Sequence, residues 1–181
     1  MPTERNASTM NIRSEIERRL RVLSGLELSG VNRAADMLTL VFGPLHPVIN
    51  FKGALKYVGE WALHVQCMWR LNEAGGVVAT SDDLRGSDEN ACATAGRLQA
   101  MLLECGPVFV EAVSVGEGAG VTLSLSRGFR LIVTPDRVGD DEDWRFFSLH
   151  ERAVHLVIEG GKIASCMEEG RVRKSGQTIA R

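Results

Sequence analysis

Between Glu60 and Leu71 the chain alternates without interruption. Trp61, Leu63, Val65, Cys67, Trp69 and Leu71 are apolar, whereas Glu60, Ala62, His64, Gln66, Met68 and Arg70 are mostly polar. Side chains point to opposite faces at successive positions of a strand, so this spacing predicts one long strand with a core face and a wetter face. The run holds two of the three tryptophans and one of the four histidines. A core has to be arranged around it.

The rest of the chain reads as shorter elements. Residues 1–9 carry no pattern and are expected to be a flexible tail, as is the stretch 171–181. A helix is predicted from an Asn11 cap, with Ile12, Ile16, Leu20 and Leu23 on one stripe and Gly25 ending it. Its outer face spaces Arg13 with Glu17, Glu15 with Arg19 and Glu17 with Arg21 for i,i+4 pairing. Strand-like runs follow at 26–31 and 35–42, joined by a turn at Asn32-Arg33; the proline-containing stretch 43–47 reads as a surface loop. After Gly75-Gly76 comes a short strand, and a second helix is expected from a Ser87 or Asp88 cap, with Ala91, Ala95, Leu98, Leu102 and Cys105 as its stripe. Gly106-Pro107 stops it. Strands are predicted at 108–115, 121–126, 129–134, 144–149, 153–159 and 162–167, with tight turns at Arg127-Gly128 and Gly160-Gly161.

The order helix, strand, strand, strand, Trp-Arg occurs twice, once ending at Trp69-Arg70 and once at Trp144-Arg145, giving halves at 10–80 and 88–167. Internal duplication and chance similarity between two amphipathic units account for this equally well. In either case strands outnumber helices and do not alternate with them. The expected fold is α+β, mainly antiparallel sheet with two principal helices, in a single domain over 10–170.

Composition narrows the function. With a formal charge of −2 over 181 residues, no general attraction to nucleic acid or anionic membrane is expected. Cys67, Cys92, Cys105 and Cys166 are widely spaced and read as reduced thiols rather than a disulfide framework or zinc site. The polar start and the lack of a long apolar run point to the cytoplasm. No nucleophile elbow, phosphate loop or His-metal spacing is present, so no catalytic residue, metal or cofactor is expected. Gly116–Gly120 precedes an alternating strand and reads as a hairpin connection.

Candidate binding residues come from three places. On the wet face of the long strand, a rise of about 3.3 Å per residue leaves His64 and Gln66 as the compact pair and puts Arg70 too far from Glu60 to share a site. The Trp-Arg pairs add Arg70 and Arg145. The acidic run adds Asp141, Glu142 and Asp143, a solvated loop by default and otherwise a steering surface for a basic partner.

The run Gly59-Glu-Trp-Ala-Leu-His-Val-Gln-Cys-Met-Trp-Arg70, with Asp36-Met37, Phe42-Gly43 and Glu142-Asp-Trp-Arg145, resembles an uncharacterised bacterial family marked by a GEYALHVQCPWR-type strand and a later WR-F segment. Met68 stands where that pattern has proline. The family carries no assigned activity; its members resemble small cytoplasmic proteins found near polymorphic toxin genes. The resemblance therefore implies an immunity-type role. Two functions are expected: a non-enzymatic protein-binding module, of the kind that masks a basic, toxin-like partner, or a small-molecule-binding domain or enzyme working from the His64/Gln66 face.

Overall fold

The computed structural model describes residues 4–136, 138–151 and 153–164. Cys166 and the basic tail from Arg171 lie outside the described residues. The first part of the chain forms α1 (Glu4–Leu20), β1 (Leu28–Ala34), β2 (Met37–Phe42), β3 (His46–Ile49), β4 (Leu55–Val58), β5 (Trp61–Val65), β6 (Met68–Glu73) and β7 (Gly76–Thr80). The second part forms α2 (Asp88–Gln99), β8 (Val110–Val115), β9 (Val121–Leu125), β10 (Phe129–Thr134), β11 (Glu142–Ser148), β12 (Leu156–Glu159) and β13 (Lys162–Ile163). The fold is α+β, and the strand pairs are antiparallel.

The long strand is the main correction. Its burial parity holds from Leu63 to Leu71, since Leu63, Val65, Cys67, Trp69 and Leu71 are all buried, but at its start Ala62 is buried as well and Trp61 only partly. Its continuity is not. The chain breaks at Gln66-Cys67, leaving β5 in a six-stranded sheet, β1-β2-β5-β11-β12-β13, and β6 in a five-stranded sheet, β7-β6-β10-β9-β8. At the break the amides of Gln66 and Cys67 both donate to the carbonyl of Asp143, at 2.8 and 3.0 Å. A strand that crosses from one sheet to the other keeps the same residues facing the shared core, so alternation alone does not reveal the crossing. The buried residues of both sheets belong to one hydrophobic cluster, with Ile16, Leu20, Leu23, Leu98 and Leu102 added from the helical segments.

The two sheets repeat one another in order and register. Read from the matching edges, β1-β2-β5-β11-β12 corresponds to β8-β9-β10-β6-β7. Val65 faces Trp144 as Val133 faces Trp69, and His64 faces Arg145 as Ile132 faces Arg70. Thr39 faces His64 as Thr122 faces Ile132. Each half thus lays three strands in one sheet and sends its Trp-Arg strand into the other. The halves differ most between their second and third strands. β9 and β10 are joined by Ser126–Gly128, with Arg127 and Gly128 at φ 62° and 80°, whereas β2 and β5 are separated by the ribbon β3–β4.

Smaller departures have local causes. Helix α1 begins at Glu4 rather than Asn11. The β1–β2 turn falls at Ala35-Asp36, with Ala35 at φ 53°, not at Asn32-Arg33; pairing of the buried Val31 with Leu40 carries the strand through the turn-prone residues. In α1, Arg13 pairs with Glu17 at 2.9 Å, while Glu15 takes both Arg18 and Arg19. Helix α2 starts as expected, with Ser87 Oγ accepting from the Asn90 amide at 3.3 Å. A wider π-type turn over Ala100–Glu104 then buries Leu102 and leaves Cys105 exposed. No described helix is long and apolar enough to cross a membrane.

Candidate functional site

His64 lies on the outer face of the six-stranded sheet, between Thr39 of β2 and Arg145 of β11. Leu63 and Val65 on either side of it are buried, so strand parity turns the imidazole away from the core. A bulge in β11 between Glu142 and Trp144 changes which residues join it there. Regular alternation would put Asp143 beside Arg145 on the outer face; instead Asp143 and Trp144 are both buried, and Glu142 comes out on the side of Arg145.

The result is a connected cluster. Arg145 Nε and Nη2 donate to the two carboxylate oxygens of Glu142 at 3.1 and 2.5 Å, the bidentate geometry that best fixes a guanidinium. Gln66 Nε2 donates to the same carboxylate at 3.1 Å. Arg145 Nη1 approaches His155 Nδ1 at 3.4 Å, which puts the proton of a neutral His155 on Nε2. Phe147, next outward along β11, stacks on His155 with centroids 4.5 Å apart and meets His64 edge to face at 4.9 Å. Burial pushes the His64 imidazole below its usual range; the Arg145 charge adds to the effect, Glu142 opposes it and His155 adds again.

Of the residues singled out from sequence, His64, Gln66, Glu142 and Arg145 come together. Arg70 does not join them: it is exposed on the five-stranded sheet opposite Ile132, with no ion pair to a described residue. Asp141 stays exposed. Asp143 is no part of a solvated acidic loop. It is 3% exposed and accepts the Asp136 amide at 2.7 Å and the Gly161 amide at 2.8 Å, while its carbonyl holds the Gln66-Cys67 break. Beside it, burial pushes the Cys67 thiol up to about 12, with the Asp143 charge adding to the shift. Phe147 and His155 were missed. The parity of Arg145 and Phe147 was readable, but the contact with His155 is made across a strand boundary.

No family model, curated protein or solved structure matches this chain. Its chemistry has to be read from the residues themselves. His64 has no side-chain hydrogen bond to a described residue that would orient it as a base. Glu142 is already committed to Gln66 and Arg145. Among the described residues no group of three or more potential metal ligands is found. One cavity, of about 10 Å³, lies in the core between Val31, Leu40, Trp69, Leu98 and Leu131, which face away from His64. What the cluster offers is a stiff, half-exposed face of guanidinium and stacked rings.

A second feature escaped the sequence reading. The segment taken as a loop around Pro47 forms the two-stranded ribbon β3–β4, with His46 opposite Val58, Pro47 opposite Tyr57, Val48 opposite Lys56 and Ile49 opposite Leu55. Pro47 is tolerated because a ribbon strand has a free edge. At its root Gly59 approaches the sheet so closely that a Cβ would lie 2.6 Å from both Ser29 Oγ and Val41 Cγ1. His150 Nε2 donates to the Gly59 carbonyl at 3.0 Å, and His46 Nε2 bonds Glu60 at 3.2 Å.

Proposed function

We propose that this chain is a non-enzymatic, cytoplasmic protein-binding module that docks a partner on the outer face of its six-stranded sheet. One observation carries the reading: Phe147 is clamped between His64 and His155, beside an Arg145 already fixed by Glu142. Aromatic and arginine side chains dominate binding hot spots, and side chains that are immobile beforehand lose little entropy on docking. The equivalent ladder position in the other sheet is Ile132, opposite an Arg70 with no ion pair among the described residues, so the platform belongs to one sheet alone and is built from strands of both halves. Exposed Asp140, Asp141 and Glu159 lie around Glu142 and would steer a basic partner. Masking of a basic, toxin-like protein is the use we assign to it, in line with the resemblance carried by the Gly59–Arg70 motif. The experiment is capture from the native host with the wild type and with Phe147→Ala/Arg145→Ala. A protein retained by the wild type and released by the double variant supports the reading. No partner in either capture, with no toxin-like reading frame beside the gene, counts against it.

A further inference from the structure

The β3–β4 ribbon occupies a connection that the other half closes with Ser126–Gly128. The sheet therefore does not require it, yet ordering its backbone costs about 1–2 kcal/mol per residue. Pairing puts Pro47, Ile49, Leu55 and Tyr57 on one face by parity, with Leu45 just before β3 and Phe51 at the tip. Leu45, Leu55 and Tyr57 are more than half exposed, Ile49 is 67% exposed and Phe51 at the tip is 95% exposed. The tip is built rather than loose: Asn50 Oδ1 accepts the Lys52 and Ala54 amides at 2.9 Å each, and the Gly53 amide returns to the Asn50 carbonyl. This apolar face is thus a permanent feature, and no described residue covers it. Patches of this extent are rarely left bare on a soluble monomer.

We infer that the ribbon face packs against the same face of a second copy of this chain, forming a two-fold dimer that leaves the sheet platform free. Two arguments favour this occupant. The first is charge. No acidic residue lies between Gly43 and Gly59; Lys56, paired with Val48, points to the opposite side of the ribbon, and Lys52 sits at the tip with its ammonium 5.6 Å from the Phe51 ring centroid. In an antiparallel two-fold pairing the two tip lysines fall at opposite ends of the contact, so the apolar faces meet without like charges opposed. The second is area. The five large apolar residues expose on the order of 600 Å², so a symmetric contact covering all of it buries at most about 1,200 Å², the lower end of a standard specific interface. Pro47, lacking an N–H, disfavours the competing mode of adding a strand to the β3 edge.

Sedimentation of the purified full chain from about 1 to 100 μM reads the outcome. The expected result is a concentration-dependent dimer that becomes monomeric in Ile49→Asp/Leu55→Asp and persists in Val138→Asp, a change at another exposed apolar residue. Circular dichroism of the ribbon variant should match wild type, because both replaced side chains are exposed. A wild type that stays monomeric throughout, or a dimer that survives the ribbon variant, overturns the inference. If the monomeric wild type instead pellets with vesicles of phosphatidylcholine and phosphatidylglycerol, the ribbon's occupant is a bilayer.

Discussion

Trp69 and Trp144 hold the same position in the two sheets, each opposite a valine, but their indole N–H groups differ in partner. Trp144 Nε1 donates to the Ala119 carbonyl at 3.0 Å, whereas Trp69 Nε1 is buried with no partner among the described residues. The difference lies in the hairpins: β8–β9 carries the longer connection that supplies Ala119, and β1–β2 turns in two residues. Replacing Trp144 by Phe strands the Ala119 carbonyl as well as leaving a void; replacing Trp69 leaves a void but removes an unsatisfied donor. Trp144→Phe should therefore destabilise by about 1–2 kcal/mol more than Trp69→Phe. Urea unfolding of both variants measures the gap, and equal losses would refute it.

Asp143 joins three parts of the chain through its side chain and carbonyl. Asp143→Ala removes the acceptor of the Asp136 and Gly161 amides, two part-buried charge-assisted bonds, so a loss of about 2–3 kcal/mol is expected. The same substitution at the exposed Asp141 should change stability by less than about 0.5 kcal/mol. Chemical denaturation of the two variants side by side provides the comparison.

Gly96 sits inside α2, where a Cβ would meet nothing within 4 Å and φ is not positive. Alanine loses less backbone entropy there than glycine. Gly96→Ala should stabilise the protein by about 0.5–1 kcal/mol, seen as a higher midpoint in a thermal melt.

Glu15 should make stability depend on pH at the acid end. Hydrogen bonds from Arg18 and Arg19 hold its carboxyl at about 2, against an ordinary value of 4.5. The unfolded chain therefore binds the proton more readily between those values, and stability present above about 4.5 is lost as pH falls toward 2. With its surroundings largely open to water, the effect should be small and weaken with salt. Glu15→Gln should flatten the stability profile in that window.

His64 gives a second window, nearer neutrality. Its folded pKa lies below the ordinary imidazole value of 6.5, so the unfolded state takes up the proton first. Stability from the neutral imidazole is complete above about 6.5 and declines as pH falls below it. An NMR titration should show the His64 ring protonating at lower pH than a free imidazole. Arg145→Gln, which removes a neighbouring positive charge, should move it upward. No movement would mean that burial alone sets the shift.

Much of this molecule was legible in local pattern. The alternation from Leu63 to Leu71 named the buried residues, Ser87 announced α2, and Arg127-Gly128 and Gly160-Gly161 form positive-φ turns where expected. Period and turn chemistry are properties of neighbouring residues, and a chain carries them wherever it is packed. What the tertiary structure decided is where the pattern is cut and what lies beside it. The Gln66-Cys67 break exists because the carbonyl of Asp143 takes both amides, and that carbonyl arrives from a strand far along the chain. The bulge that buries Asp143 also brings Glu142 to Arg145, converting an expected acidic loop into a staple and a clamp. The long strand of the sequence is thus two strands of two sheets, and its His64 gained its neighbours only when β11 was laid beside it.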